Sequence, residues 1–228
     1  MDLSFELTVG EETKVLSVGV DELVVAGWAG RDAKIVEHHV AELAAIGVPR
    51  PSAVPLFYRV GENTLTQRER VQVVGSASSG EVECFIFADR RDLFVSVASD
   101  HTDRELEAYG VAQSKQVCPK PVARAAWRYS DVAAHWDDLV MRAWIEEDGE
   151  RRLYQEGTLA GLLSIADLIE GYTGTKGLLP NGTGMTCGTV GVLGGIRPTP
   201  HFEMELFDPH LNRRIGHRYV IDVLPIVA

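Results

Sequence analysis

Residues 3–9 alternate apolar and polar positions, as do residues 14–20, and Gly10, Glu11 and Glu12 lie between the two runs. This period of two predicts an opening β-hairpin. From Asp32 onward Ile35, Val36, Val40, Leu43, Ala44 and Ile46 recur at helical spacing until Gly47, Pro49 and Pro51 interrupt them, which predicts a helix over 32–46. Short strand-like runs follow at 54–60, 70–74, 82–87 and 93–98, separated by Gly, Ser, Asn or charged turns. Residues 139–145 and 151–155 flank Glu147-Asp148-Gly149, where Asp-Gly signals a second hairpin. Leu162, Leu163, Ile165, Ala166 and Ile169 then form the apolar stripe of a helix predicted over 159–172. A glycine-rich stretch runs to Gly195 and reads as turns between strands, and two last strands are predicted at 202–207 and 218–224. Strands outnumber helices and do not alternate with them, so the expected fold class is α+β, mainly β, rather than a doubly wound parallel sheet. With no internal repeat and no long linker, residues 1–228 are expected to form a single domain.

Charge narrows the choice of partners. A formal net charge of −11 repels a phosphate backbone, so nucleic-acid binding is not expected. The most apolar runs, 93–98 and 189–196, fall far short of the roughly 20 residues that cross a bilayer, so no membrane span is expected. Glu6, Glu11 and Glu12 come early and no basic segment precedes an apolar run, which predicts a cytoplasmic protein without a secretory signal. Cys84, Cys118 and Cys187 lack any CxxC spacing and read as small buried residues, not as a disulfide framework or a zinc site. The glycine-rich 182–195 segment lacks the Gly-Lys-Ser/Thr of a phosphate loop.

Candidate chemistry begins with Glu81 and Glu83, two apart on a strand and therefore on one face. If 82–87 and 93–98 pair antiparallel through 88–92, Asp100 returns beside Glu83. Three oxygen-bearing acids in one place suit a hard divalent ion, Mg²⁺ or Mn²⁺, better than zinc. The same residues equally fit a solvated strand face with Asp100 as a helix N-cap. His39 and Glu42 lie three apart on the first helix, where a carboxylate can orient an imidazole and raise its basicity; helix surfaces carry such pairs without chemistry as well. Lys115 offers positive charge to an oxyanion or stands as a solvated lysine. Thr186, Gly188 and Thr189 offer hydroxyls and backbone N–H groups to a carboxylate, or simply make a turn.

Taken in order, these segments resemble the fumarylacetoacetate hydrolase superfamily. Gly30-Arg31 and His39-Val-Ala-Glu42 are similar to its Gly-Arg-Asn segment and its His-x-x-Glu lid helix, and residues 54–58 to the strand after it. Glu81-Val-Glu83 resembles the Glu-x-Glu metal pair, Ser99-Asp100-His-Thr-Asp-Arg104 the segment carrying the third ligand, and Ser114-Lys115 the Lys-Ser segment. Gln155-Glu-Gly157 and Cys187-Gly-Thr189-Val-Gly191 resemble the Gln-x-Gly and Thr-Gly-Thr-Pro-x-Gly-Val-Gly elements, and Arg213-Arg-Ile-Gly216 the closing strands. Asp100 and Lys115 arrive sooner than is usual, Cys187 replaces a common threonine, and no proline follows Thr189. The resemblance is to a divergent bacterial branch, so the superfamily's reactions carry over as a class only.

The resemblance implies a mixed β-sandwich roll with a lid helix, assembled as a homodimer. It implies Mg²⁺, replaceable by Mn²⁺ or Ca²⁺, held by Glu81, Glu83 and Asp100. It also implies His39 oriented by Glu42 as the base that activates water, Lys115 assisting a departing enolate, and Arg31, Gln155 and Thr189 contacting substrate. The implied substrate is a small oxo acid, and the implied reaction hydrolysis of a carbon–carbon bond in a 2-oxo acid or acylpyruvate-like β-dicarbonyl. Decarboxylation, hydration or tautomerisation at the same site is the alternative, as is a small-molecule binding protein without turnover.

Overall fold

The computed structural model describes residues 1–9, 12–45 and 50–227, with side chains throughout except those of Val9, Glu12, His39, Glu42, Leu43 and Ala45. In chain order its strands begin with β1 (Asp2–Val9), β2 (Glu12–Gly19), β3 (Glu22–Gly27), β4 (Leu56–Val60), β5 (Leu65–Thr66) and β6 (Arg70–Val74). Next come β7 (Ser78–Ser79), β8 (Val82–Asp89), β9 (Asp92–Ser99), β10 (Thr102–Asp103), β11 (Lys120–Pro121) and β12 (Ala125–Arg128). The last are β13 (Val140–Glu147), β14 (Glu150–Thr158), β15 (Thr183–Thr189), β16 (His201–Asp208) and β17 (Arg213–Leu224). The helices are α1 (Ala33–Ala45), α2 (Arg104–Glu107), α3 (Val111–Gln116) and α4 (Ile165–Thr173).

A mixed sheet runs β2-β1-β12-β9-β8-β15-β3-β4, and a second runs β14-β13-β16-β17-β6. Alternation along the strands decides what lies on each side. Val82, Cys84 and Ile86 of β8, with Val95 and Val97 of β9, meet Met141, Ala143, Phe202, Met204 and Ile215 from the second sheet in the main core. The opposite face of the same strands, Phe85, Phe87, Phe94 and Ala98, closes with Leu3, Phe5, Leu23, Val25 and Leu65 into a second core inside the curl of the large sheet. Phe87 stacks between Phe5 and Phe94, with centroids 4.1 and 5.3 Å away. A strand buried on both faces carries a side chain to either core, and the even and odd positions of β8 do so. This is the α+β, mainly β class that the sequence pattern predicts, curled into the roll that the resemblance implies.

The predicted hairpins form β1–β2, β8–β9 and β13–β14, all antiparallel. Two expectations are corrected. The helix predicted over 159–172 starts only at Ile165, because Ser164 is extended and its hydroxyl accepts from Asp167 N, which caps the helix there. The segment read as glycine-rich turns contains β15, a fully interior strand parallel to β3 and antiparallel to β8. Strand β3, Leu23-Val-Val-Ala26 at its centre, is a continuous apolar run without alternation because both of its faces are buried. The predicted end of the first helix at 46–49 lies outside the described residues.

Candidate metal centre

The β8–β9 hairpin assembles the acidic residues. Its register pairs Val82 with Ser99 and Glu83 with Ala98, so Asp100 falls just past Ser99 opposite Glu81. Asp100 N–H donates to the Glu81 carbonyl at 3.0 Å. Glu83 shares a face with Phe85 and Phe87, Asp100 shares one with Phe94 and Ala98, and the two faces line the inner core. Ligand-competent oxygens of Glu81, Glu83 and Asp100 all lie within 4.8 Å of one another. Asp100 is no N-cap: that position before α2 belongs to Asp103, whose carboxylate accepts from Leu106 N at 2.9 Å.

Each acid has a different environment. Arg104 Nη2 lies 3.2 Å from Glu81 Oε1. Gly188 N–H donates to Glu83 Oε2 at 3.0 Å, and Gly188 has φ +91°, a backbone angle that suits glycine. A Cβ at that position would meet the Ala29 Cβ at 2.8 Å. Lys115, in the last turn of α3, donates from Nζ to Asp100 Oδ2, and Lys120 Nζ stands 3.2 Å from Asp100 Oδ1. The Tyr58 ring walls the site, its centroid 5.6 Å from Lys115 Nζ, and its hydroxyl accepts from Trp28 Nε1 at 3.2 Å.

Burial and neighbouring charge set the protonation of these groups in opposite directions. Burial first, then repulsion from Asp100 and Glu81, pushes the Glu83 carboxyl up to about 8. Burial also acts to raise Asp100, but Lys115 and Lys120 outweigh it and hold the group well below the usual carboxylate range. Burial disfavours the Lys115 ammonium, yet Asp100 and Glu81 overcome that and leave its pKa above the ordinary lysine value. His101 is pushed down to about 3 by burial and by Lys120 and Arg104, so its ring is neutral at pH 7.

These residues suit a hard divalent cation. The donors are all oxygen, Asp100 Oδ1 is buried and accepts no well-aligned hydrogen bond although Lys120 Nζ stands 3.2 Å away, and a buried carboxyl beside two others is stabilised by an ion among them. Glu81, Glu83 and Asp100 would hold it.

The family model described as "Protein of unknown function (DUF2848)" matches residues 26–219. The chain belongs to the DUF2848 family. No curated protein matches this DUF2848 sequence. Solved structures match its fold throughout. A 2-keto-3-deoxyarabinonate dehydratase superposes with a TM-score of 0.66 at 16% identity over 95% of this chain and 79% of that one. A fumarylacetoacetate hydrolase family protein from Yersinia pestis CO92 gives 0.62 at 15% identity over 93% and 96%. The 5-carboxymethyl-2-hydroxymuconate delta-isomerase from Mycobacterium smegmatis gives 0.60 at 15% identity over 95% and 88%. The DUF2848 chain therefore carries the fumarylacetoacetate hydrolase fold.

Other residues singled out in the sequence are distributed unevenly around the acids. Thr189 pairs with Glu83 in the sheet, and its hydroxyl donates to Val82 O at 2.8 Å. Gln155 is buried, accepts from Val82 N at 3.0 Å and donates to Thr189 Oγ1 at 2.8 Å and Val190 O at 2.7 Å, so its amide braces the strand that carries Glu83. Arg31 forms a two-pronged ion pair with Asp137 at 2.7 Å and donates from Nε to Leu162 O at 2.8 Å, tying the start of α1 to the segment before α4. His39 and Glu42 fall three apart on α1, and their side chains lie outside those described. Sequence reasoning missed Lys120, whose signal is a lysine between two prolines, Pro119 and Pro121.

Proposed function

We propose that this DUF2848 member is a divalent-cation-dependent enzyme that hydrolyses a carbon–carbon bond in a 2-oxo acid or acylpyruvate-like β-dicarbonyl compound. The observation that carries the reading is the convergence of Glu81, Glu83 and Asp100 within 4.8 Å on a fold shared with a dehydratase, an isomerase and a hydrolase-family protein. When bound, Mg²⁺, or Mn²⁺ or Ca²⁺ in its place, supplies Lewis-acid stabilisation to negative charge developing on substrate oxygens. His39, oriented by Glu42, takes a proton from a water molecule whose oxygen bonds to the carbonyl carbon. Lys115 presents its ammonium to the enolate that departs as the carbon–carbon bond breaks. Gln155 keeps Thr189 and the β8 backbone fixed. Arg31 meets a distal substrate carboxylate in exchange for Asp137, and Thr189 borders the same end. The proposed assembly is a homodimer.

The test is product analysis with acylpyruvates, oxaloacetate and 2-hydroxydienoates, with Mg²⁺ and with chelator. Chelator-sensitive release of a 2-oxo acid and a second acid from an acylpyruvate is the expected result. Loss of CO₂ from oxaloacetate, or hydration of a dienoate, would move the chain to a decarboxylase or hydratase on the same residues. Turnover of none of them, with no heat of Mn²⁺ binding, would overturn the enzyme reading.

A further inference from the structure

Lys120 is fully buried, although lysine is among the residues least often found inside. A lone ammonium taken out of water costs several kcal/mol unless charges and hydrogen bonds compensate it. Two groups offset part of that cost, while burial still holds the Lys120 pKa below the ordinary lysine value: Lys120 Nζ donates to the His101 carbonyl and stands 3.2 Å from Asp100 Oδ1. Both partners belong to the turn that presents the third acid of the cluster.

The backbone that delivers Lys120 is rigid. Pro119 and Pro121 flank it, and a residue before proline is confined to extended conformations. Lys120 and Pro121 pair in parallel with Leu65 and Thr66, Val122 N–H donates to Thr66 O at 2.8 Å, and Ala123 N–H donates to Val97 O at 2.9 Å. The far side of the Asp100 turn is fixed as well. His101 Nδ1 and Tyr219 Oη are 3.0 Å apart, His101 Nε2 and Ser78 Oγ are 2.9 Å apart, and Tyr219 Oη donates to Ser99 Oγ at 2.8 Å. Lys115, by contrast, comes from a short helix and takes the other Asp100 oxygen.

We infer that Lys120 is a positioning residue whose buried ammonium holds the Asp100 carboxylate against Glu81 and Glu83, and so sets the cluster's affinity for a divalent cation without ligating it. The inference rests on the cation reading above. Its sign separates it from plain electrostatics. A positive charge next to a cation site weakens binding by repulsion, so deleting it without other effect tightens binding. Loss of positioning loosens it, and removing a partner that orients a metal ligand typically costs roughly 10–100-fold in affinity.

The experiment is calorimetric titration of Mn²⁺ into the full chain and into Lys120→Met, with the folded fraction of each checked by circular dichroism. The expected result is Mn²⁺ binding to the wild type, and binding on the order of tenfold weaker or worse to the folded variant. Unchanged or tighter binding to folded Lys120→Met overturns the positioning role while leaving the cation site standing. A wild type that binds no Mn²⁺ overturns the cation reading and this inference with it. If Lys120→Met does not fold, Lys120→Gln, which keeps a hydrogen-bond donor but not the ammonium, is titrated with Mn²⁺ in its place. Binding on the order of tenfold weaker or worse supports the role of the ammonium; unchanged or tighter binding overturns it.

Discussion

Asp100 N–H donates to the Glu81 carbonyl at 3.0 Å, so the third carboxylate of the cluster is tied to the first by the backbone across the open end of the β8–β9 hairpin. Acid spacing is thus set by strand register and not by flexible side chains alone. Substitutions near this hairpin are expected to change cation affinity and stability together, and those far from it to change stability alone.

The Glu83 carboxyl, raised to about 8 from an ordinary 4.5, makes the cation-free protein sensitive to alkali. Between those values the folded chain keeps a proton that the unfolded chain has lost, so stability falls as pH rises, by up to about 1.4 kcal/mol per pH unit for one such group. Urea denaturation in chelator should show lower stability at pH 8 than at pH 6. Saturating Mg²⁺ should remove much of that difference, because an ion replaces the proton, and Mg²⁺ affinity should rise over the same range. A pH-independent affinity would contradict the assignment of Glu83 as a ligand.

Lys115→Met takes one of two ammonium groups from a fully buried carboxylate. Breaking a buried ion pair from one side costs roughly 3–5 kcal/mol, and Lys120 keeps the loss toward the lower end of that range. Turnover of the best substrate found should fall on the order of a hundredfold, the usual effect of deleting one group that stabilises an oxyanion. Denaturation midpoints and kcat measure the two effects separately.

Gly188→Ala places a methyl group 2.8 Å from the Ala29 Cβ at a φ of +91°. Strain of this kind costs about 1–3 kcal/mol. Relieving it shifts the N–H that donates to Glu83 Oε2, so both the melting temperature and the Mn²⁺ affinity should drop.

Ser164→Ala removes the side-chain cap of α4 and should cost about 1 kcal/mol of stability. Mn²⁺ affinity should stay at the wild-type value, which makes this variant the control for destabilisation as such.

The acidic trio is legible in the sequence because a hairpin is a local object: alternation fixes the faces, the charged turn fixes the register, and Asp100 follows by counting. Lys115 is legible through its place in an ordered set of segments. What escapes the sequence is whatever depends on burial from both sides. Thr183–Thr189 reads as loop because Gly184 and Gly188 interrupt it and no apolar–polar alternation marks it, yet β3 and β8 enclose it. Lys120 escapes because a lysine reads as solvated until the fold surrounds it. Gln155 is visible as a candidate but not as a brace, since its partners lie 34, 35 and 73 residues away.

The two-faced burial of β8 limits how this molecule can change. Odd and even positions enter different interiors, so inserting or deleting one residue between Gly80 and Glu83 would swing a carboxylate into the hydrocarbon between the sheets and a valine toward Lys115. Relatives that differ in chemistry are therefore expected to vary in the surrounding loops, and length changes in this short stretch should be tolerated only in pairs.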